Sequence, residues 1–302
     1  MKSWTKRVLL FFLLNAAIIV TISLFLNLFN IRPYLSRSGI DYQVLLIFCL
    51  VWGLVGSFIS LSLSRLMAKW MMGVEVIDPD TTDQQERELL SMVSMLIKKA
   101  GMSKMPEVGI YRSKEVNAFA TGPSKSRALV AVSTGLLAKM NREELEGVLG
   151  HEVSHINNGD MVTMTLLQGV VNAFVMFFAR VCAFAVSRMG KQREGSGSAL
   201  MYMGLVFLFE ILFMLLGSIV IAGFSRFREY RADAGGARLA GREAMIAALS
   251  RLEAIPEEKD PQVQQSSFQA LKISNRQGLL HLFATHPPLE SRIARLRMKK
   301  VL

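Results

Sequence analysis

The sequence predicts an α+β fold, predominantly helical, carried by an integral membrane protein. Long uncharged runs recur, and hydrophobic residues make up 51% of 302 positions, with a mean hydropathy of +0.34, above that of an ordinary soluble domain. A capped helix start at Asn141 opens the segment that carries HEVSH. Ahead of it, VGIYRS and ALVAVSTGLL are short, apolar and rich in β-branched residues, which reads as strands.

Residues 8–29 form an uncharged run long enough to cross a bilayer, preceded by Lys2, Lys6 and Arg7. A cleaved signal peptide would have a shorter apolar core, so an uncleaved span with a cytoplasmic N-terminus is expected. A loop with Arg32, Arg37 and Asp41 leads to a second span at 42–64, after which Arg65 and Lys69 return the chain to the cytoplasm. Residues 1–74 are thus a membrane region.

From 75 the chain turns polar, and 75–161 is expected to be the first part of a catalytic domain. ELLSMVSMLIKKAG spaces Leu89, Leu90, Val93, Leu96 and Ile97 as a helix and closes on Lys98, Lys99 and Gly101. Pro106 precedes the strand VGIYRS; NAFATG and the second strand, ALVAVSTGLL, follow. Asn141 and Glu144 form a capping box. Two more apolar runs, 162–186 and 199–224, flank the Gly/Ser-containing turn SRMGKQREGSGS and predict over 162–224 a transmembrane hairpin of weaker spans or, alternatively, a helical hairpin partly packed against the catalytic domain. Arg180 and Glu210 lie inside these runs, tolerable in lipid where they face protein, water or each other. Residues 225–302 form the second part of the catalytic domain, their first helix beginning after the fourth run.

His151-Glu152-Val153-Ser154-His155 organises the rest. Histidines four apart lie one turn apart on one helix face, so both imidazoles reach one metal ion while Glu152 leans over it. This is the zincin constellation, of gluzincin-like type if the third ligand is a glutamate. The surrounding VLGHEVSHI is otherwise apolar, and a buried imidazole pair with a carboxylate between them needs partners, which a metal supplies.

SKEVNAFATG, the HEVSH helix with INNGD after it, SRFREYRADAGGARLAG and THPPLESRI together resemble the HtpX family of bacterial membrane zinc metalloproteases, relatives of the CaaX prenyl-processing endopeptidase. On spacing alone, Glu229 and Asp233 fit equally a ligand with a supporting carboxylate or an ordinary helix paired with Arg226, Arg228 and Arg231. The resemblance implies that Glu229 is the third zinc ligand, one zinc per chain, with Asp233 accepting the outer N–H of a ligand histidine. It also implies a site role for His286, as donor to the oxyanion, against a plain loop histidine before a helix that starts at Pro287 and Pro288. Asn117 is implied to line the substrate cleft, against an ordinary turn asparagine. Arg292 either orients this region or is an exposed helix arginine. If Glu229 joins the two histidines, residues 162–224 cross the membrane an even number of times. His281 receives no role.

The net charge of +11 does not favour nucleic acid. Residues 1–74 carry 7 basic and 1 acidic side chains, 75–161 carry 10 and 13, 162–224 carry 4 and 2, and 225–302 carry 14 and 8. Positive charge gathers beside the apolar runs, where anionic lipid is the partner. Cys49 and Cys182 both fall within apolar runs, so no disulfide framework or cysteine zinc site is readable. Three functions fit. The first, implied by the resemblance, is a multi-pass endopeptidase of the bacterial inner membrane, facing the cytoplasm, that cleaves damaged membrane proteins and unfolded polypeptides in stress response. The second is a site-specific processing peptidase of the prenyl-protease type. The third is a scaffold or transporter whose motif is inert.

Overall fold

The computed structural model describes residues 41–189, 198–255 and 282–298. The span expected at 8–29 and His281 lie outside them. Three described helices are long and apolar enough to cross a membrane: α1 (Tyr42–Met72), α5 (Asp160–Met189) and α6 (Ser198–Leu239). Each overruns the apolar run that predicted it. The largest correction concerns α6. The predicted boundary between the fourth run and the helix bearing Glu229 does not exist, because neither proline nor a cap interrupts the chain there, and one helix of 42 residues carries both.

The chain divides into two compact units. Among the described residues, one comprises 41–60 with 163–189 and 198–221. In it, helix α1 approaches α5 backbone to backbone: a Cβ at Gly53 would stand 2.7 Å from the Gly169 carbonyl oxygen. Small residues permit such contact, and membrane helices associate through it. Arg180 and Glu210 face each other, Nη1 to Oε1 at 3.0 Å, while the same Nη1 donates to the Met176 carbonyl at 3.0 Å. The two charges expected to be costly in lipid therefore neutralise one another.

The other unit comprises, of the described residues, 61–162, 222–255 and 282–298. Its elements are β1 (Glu75–Val76), α2 (Gln84–Lys99), β2 (Glu107–Tyr111), β3 (Ala118–Ser124), β4 (Arg127–Ser133), α3 (Thr134–Lys139), α4 (Arg142–Asn158), the end of α6, α7 (Arg242–Ala254) and α8 (Leu289–Met298). The sheet order is β1-β2-β4-β3, with β2 and β4 parallel and the other pairs antiparallel. ALVAVSTGLL is not one strand as predicted. It stops at Ser133, whose Oγ accepts the Leu136 N–H at 2.9 Å and caps α3.

Helix α4 begins with the predicted capping box, Asn141 and Glu144 bonding reciprocally. It ends at Gly159, which takes the left-handed conformation (φ 69°) that glycine adopts without steric cost. Its apolar face buries Leu149, Val153 and Ile156 against Leu89, Val93 and Leu96 of α2 and Val130 and Val132 of β4. Each such side chain contributes about 1.5–3 kcal/mol on burial. The motif helix is thus pinned to the sheet on one side, with edge strand β3 beside it.

Candidate active site

The opposite side of α4 meets the end of α6, and the meeting is made by absent side chains. A Cβ at Gly150 would stand 3.0 Å from the Ala240 Cβ, one at Gly236 would stand 3.0 Å from the His151 backbone nitrogen, and one at Gly235 would collide with Ser154 Oγ. The two helix backbones therefore run close enough for short side chains to bridge them.

Three donors converge across this contact. His151 Nε2 and His155 Nε2 lie 3.1 Å apart. Glu229 presents Oε2 to His151 Nε2 at 3.4 Å and Oε1 to His155 Nε2 at 3.2 Å. All three residues are buried, and their donor atoms lie within 4.8 Å of one another. Two imidazole nitrogens and a carboxylate form a donor set that suits zinc.

The outer nitrogens of both rings are spoken for. His151 Nδ1 lies 3.0 Å from Asp233 Oδ1, and His155 Nδ1 lies 2.7 Å from Asp160 Oδ2. Nδ1–H donation to a carboxylate leaves each Nε2 lone pair aimed at the convergence point, the tautomer a metal-binding histidine needs. Each aspartate is in turn held by an arginine. Arg292 grips Asp233 through Nε at 2.8 Å and Nη2 at 2.6 Å, and Arg231 reaches Asp160 Oδ1 at 2.7 Å. The residues fit a bound metal.

Without a metal, these contacts shift the titrations. Burial alone would depress the His151 pKa, but the bonds to Asp233 and Glu229 outweigh it and raise the value to about 9. Burial opposes the charged form of Glu229 too, yet the three surrounding histidines hold its carboxyl far below the usual range. Asp233 is likewise held below the carboxylate range against its burial, chiefly by Arg292, whose own pKa Asp233 raises.

Residues 83–300 match peptidase family M48. A protein named "Protease HtpX homolog" from Methylacidiphilum infernorum is 51% identical over 297 residues, covering 96% of this chain and 98% of that protein. Another of that name, from Bacillus licheniformis, is 50% identical over 301 residues (97% and 99%), and "Protease HtpX" from Shewanella denitrificans is 50% identical over 295 (97% and 99%). The chain belongs to family M48. It is an HtpX-type membrane metalloprotease. The crystal structure of S. mikatae Ste24p shares the fold, with a TM-score of 0.61 at 16% identity, covering 95% of this chain and 67% of that one.

In this M48 peptidase the structure brings His151, His155, Glu229, Asp233, His286 and Arg292 together. His286 Nδ1 lies 2.9 Å from Glu229 Oε2 with its side chain 62% exposed. Arg292 is no exposed helix arginine: its side chain is 7% exposed, and Nη2 also stands 3.7 Å from Glu229 Oε2. Glu152 is half-buried, and its charge helps hold Arg292 in the charged form. Asn117 leads into edge strand β3, donating its N–H to Ser133 Oγ at 3.2 Å and accepting the Ser133 N–H at 3.0 Å.

Asp160 is the residue that sequence reasoning missed. It stands five after His155, beyond the left-handed Gly159, where helical spacing no longer says which way a side chain points. A signal was present in INNGD: a glycine stop followed at once by an acid that opens the next helix. The glycine pairs 147/150 and 235/236 were a second unused signal, of close helix contact.

Proposed function

We propose that this M48 peptidase is a zinc-dependent endopeptidase that cuts misfolded or damaged membrane proteins and unfolded polypeptides on the cytoplasmic side of the bacterial inner membrane. Its catalytic domain is assembled from residues 75–161 and 225–302, on either side of a transmembrane hairpin at 162–224 and behind the membrane region 1–74. The observation that carries the reading is the convergence of His151, His155 and Glu229 with Glu152 on the same helix turn. His151, His155 and Glu229 would hold one zinc, which would lower the pKa of water to about 7 and polarise the scissile carbonyl.

The chain's own groups supply the rest. Glu152 accepts the proton of the attacking water and delivers it to the leaving amine nitrogen. His286, exposed at the rim and already beside Glu229, donates a hydrogen bond to the tetrahedral oxyanion. Asp233 and Asp160 fix the ring orientations, and Arg292 fixes Asp233. Edge strand β3, with Asn117 at its start, pairs with the extended substrate backbone, which would let many sequences bind.

The test compares wild type with Glu152→Gln, both stripped of metal and then given zinc, for bound zinc and for casein cleavage. Both should bind about one zinc, as a catalytic site requires, and only the wild type should cleave. Equal cleavage by the variant, or no zinc binding by either, would overturn the assignment. Cleavage of one defined protein but not casein would favour a processing peptidase instead.

A further inference from the structure

We propose that Arg226 is a positioning residue that clamps the backbone ahead of His286 and so holds the imidazole over the site. The role deepens the reading of His286 as oxyanion donor and rests on it.

One face of α6 docks the segment 282–298 residue by residue. Glu229 meets His286, Tyr230 Oη lies 3.2 Å from Ser291 Oγ with Arg295 stacked 4.5 Å over its ring, and Asp233 holds Arg292. Arg226, one turn before Tyr230, completes the row. Its Nη1 donates to the carbonyls of Leu282 at 3.1 Å and Ala284 at 2.6 Å.

His286 needs such a clamp. Its side chain is 62% exposed, so burial does not fix it. On its C-terminal side the backbone is tied by buried Pro287 and by α8, with Arg292 anchored in Asp233. On its N-terminal side lie Leu282–Thr285, the end of a 3₁₀ turn and two residues beyond it, and the Arg226 bonds fall on them, the nearer only two residues from His286. Bonds from a charged donor are about twice as strong as neutral ones, and a guanidinium bridging two carbonyls fixes direction as well as distance, which an ammonium does not. A catalytic donor misplaced by about 1 Å can lose about 100-fold in rate.

The test uses the full-length enzyme in detergent with zinc and a casein-derived peptide. His286→Ala should lower kcat about 10²–10³-fold, the worth of one oxyanion donor. Arg226→Gln should lower kcat about 10–100-fold, with KM within about twofold and the zinc content unchanged. Arg226→Lys should recover part of the loss. The double variant should be no slower than His286→Ala alone, because Arg226 acts through that ring. Independently of activity, mass spectrometry should show His286 carbethoxylated several-fold faster in Arg226→Gln, once Glu229 no longer keeps it in place.

With His286→Ala slowed as expected, wild-type kcat in Arg226→Gln or losses that multiply in the double variant would overturn the clamp, and in every case so would an unchanged carbethoxylation rate. If His286→Ala is as fast as wild type, the oxyanion reading falls by itself, and the carbethoxylation rate still decides whether Arg226 positions the ring.

Discussion

His151 and His155 are supported by the same kind of chain, histidine to aspartate to arginine, built in different ways. Asp233 and Asp160 are equally buried, at 2% each. Their arginines are not: the Arg292 side chain is 7% exposed and the Arg231 side chain 49%. Asp160 opens α5 directly after α4 ends, so the His155 chain is local at its inner end. The His151 chain joins α4, α6 and α8. One support is therefore a tertiary keystone, and the other is a local bracket whose outer end is wet.

The largest expected effect breaks the keystone. Arg292→Ala takes from the buried Asp233 charge its guanidinium partner, and removing one member of a buried pair typically costs about 3–5 kcal/mol; denaturation of the detergent-solubilised protein should show a loss of that order. Next come the inner carboxylates. Asp233→Asn and Asp160→Asn should each weaken zinc binding about 10–100-fold, and competition with a chromogenic chelator should find the two within an order of magnitude of each other. A much weaker effect of Asp160→Asn would mean that only the keystone matters to the metal.

A smaller effect follows pH. In metal-free protein the His151 pKa stands at about 9, above the ordinary 6.5. Its contribution to stability is thus complete below about 6.5 and is lost as pH rises through about 9. Zinc requires the neutral ring, so the stabilisation that zinc gives should grow over the same window, as melting with and without zinc would show. Asp233→Asn should flatten that window, while Asp160→Asn should leave the His151 part of it in place. Least of all should follow Arg231→Ala, where solvent already screens the pair: about 0–1 kcal/mol in the same denaturation assay. A loss matching that of Arg292→Ala would erase the distinction between the two supports.

What could be read beforehand divides along the same line. His151, Glu152 and His155 are fixed relative to one another by a single helix, so spacing alone placed them. Glu229 and Asp233 share a helix as well, but which helix they face is a tertiary fact, and family resemblance rather than periodicity put them at the site. Asp160 escaped because Gly159 turns the chain between it and His155. Arg292 could be read either as orienting the site or as exposed, because a basic helical pattern resembles a solvated one until its partner is known. The unbroken run of α6 was hidden by a shift from apolar to charged composition, which marks a change of surroundings and not a change of backbone.

The distance in sequence between the parts of the site also sets a clock. Arg292 touches His151 across 141 residues, and at about 5–20 residues per second of synthesis they emerge on the order of ten seconds apart. For roughly the first half of that interval the nascent chain displays both histidines without Glu229, and until its end without Arg292. The proposed site is therefore incomplete in a ribosome-bound fragment until the late segment has reached α6.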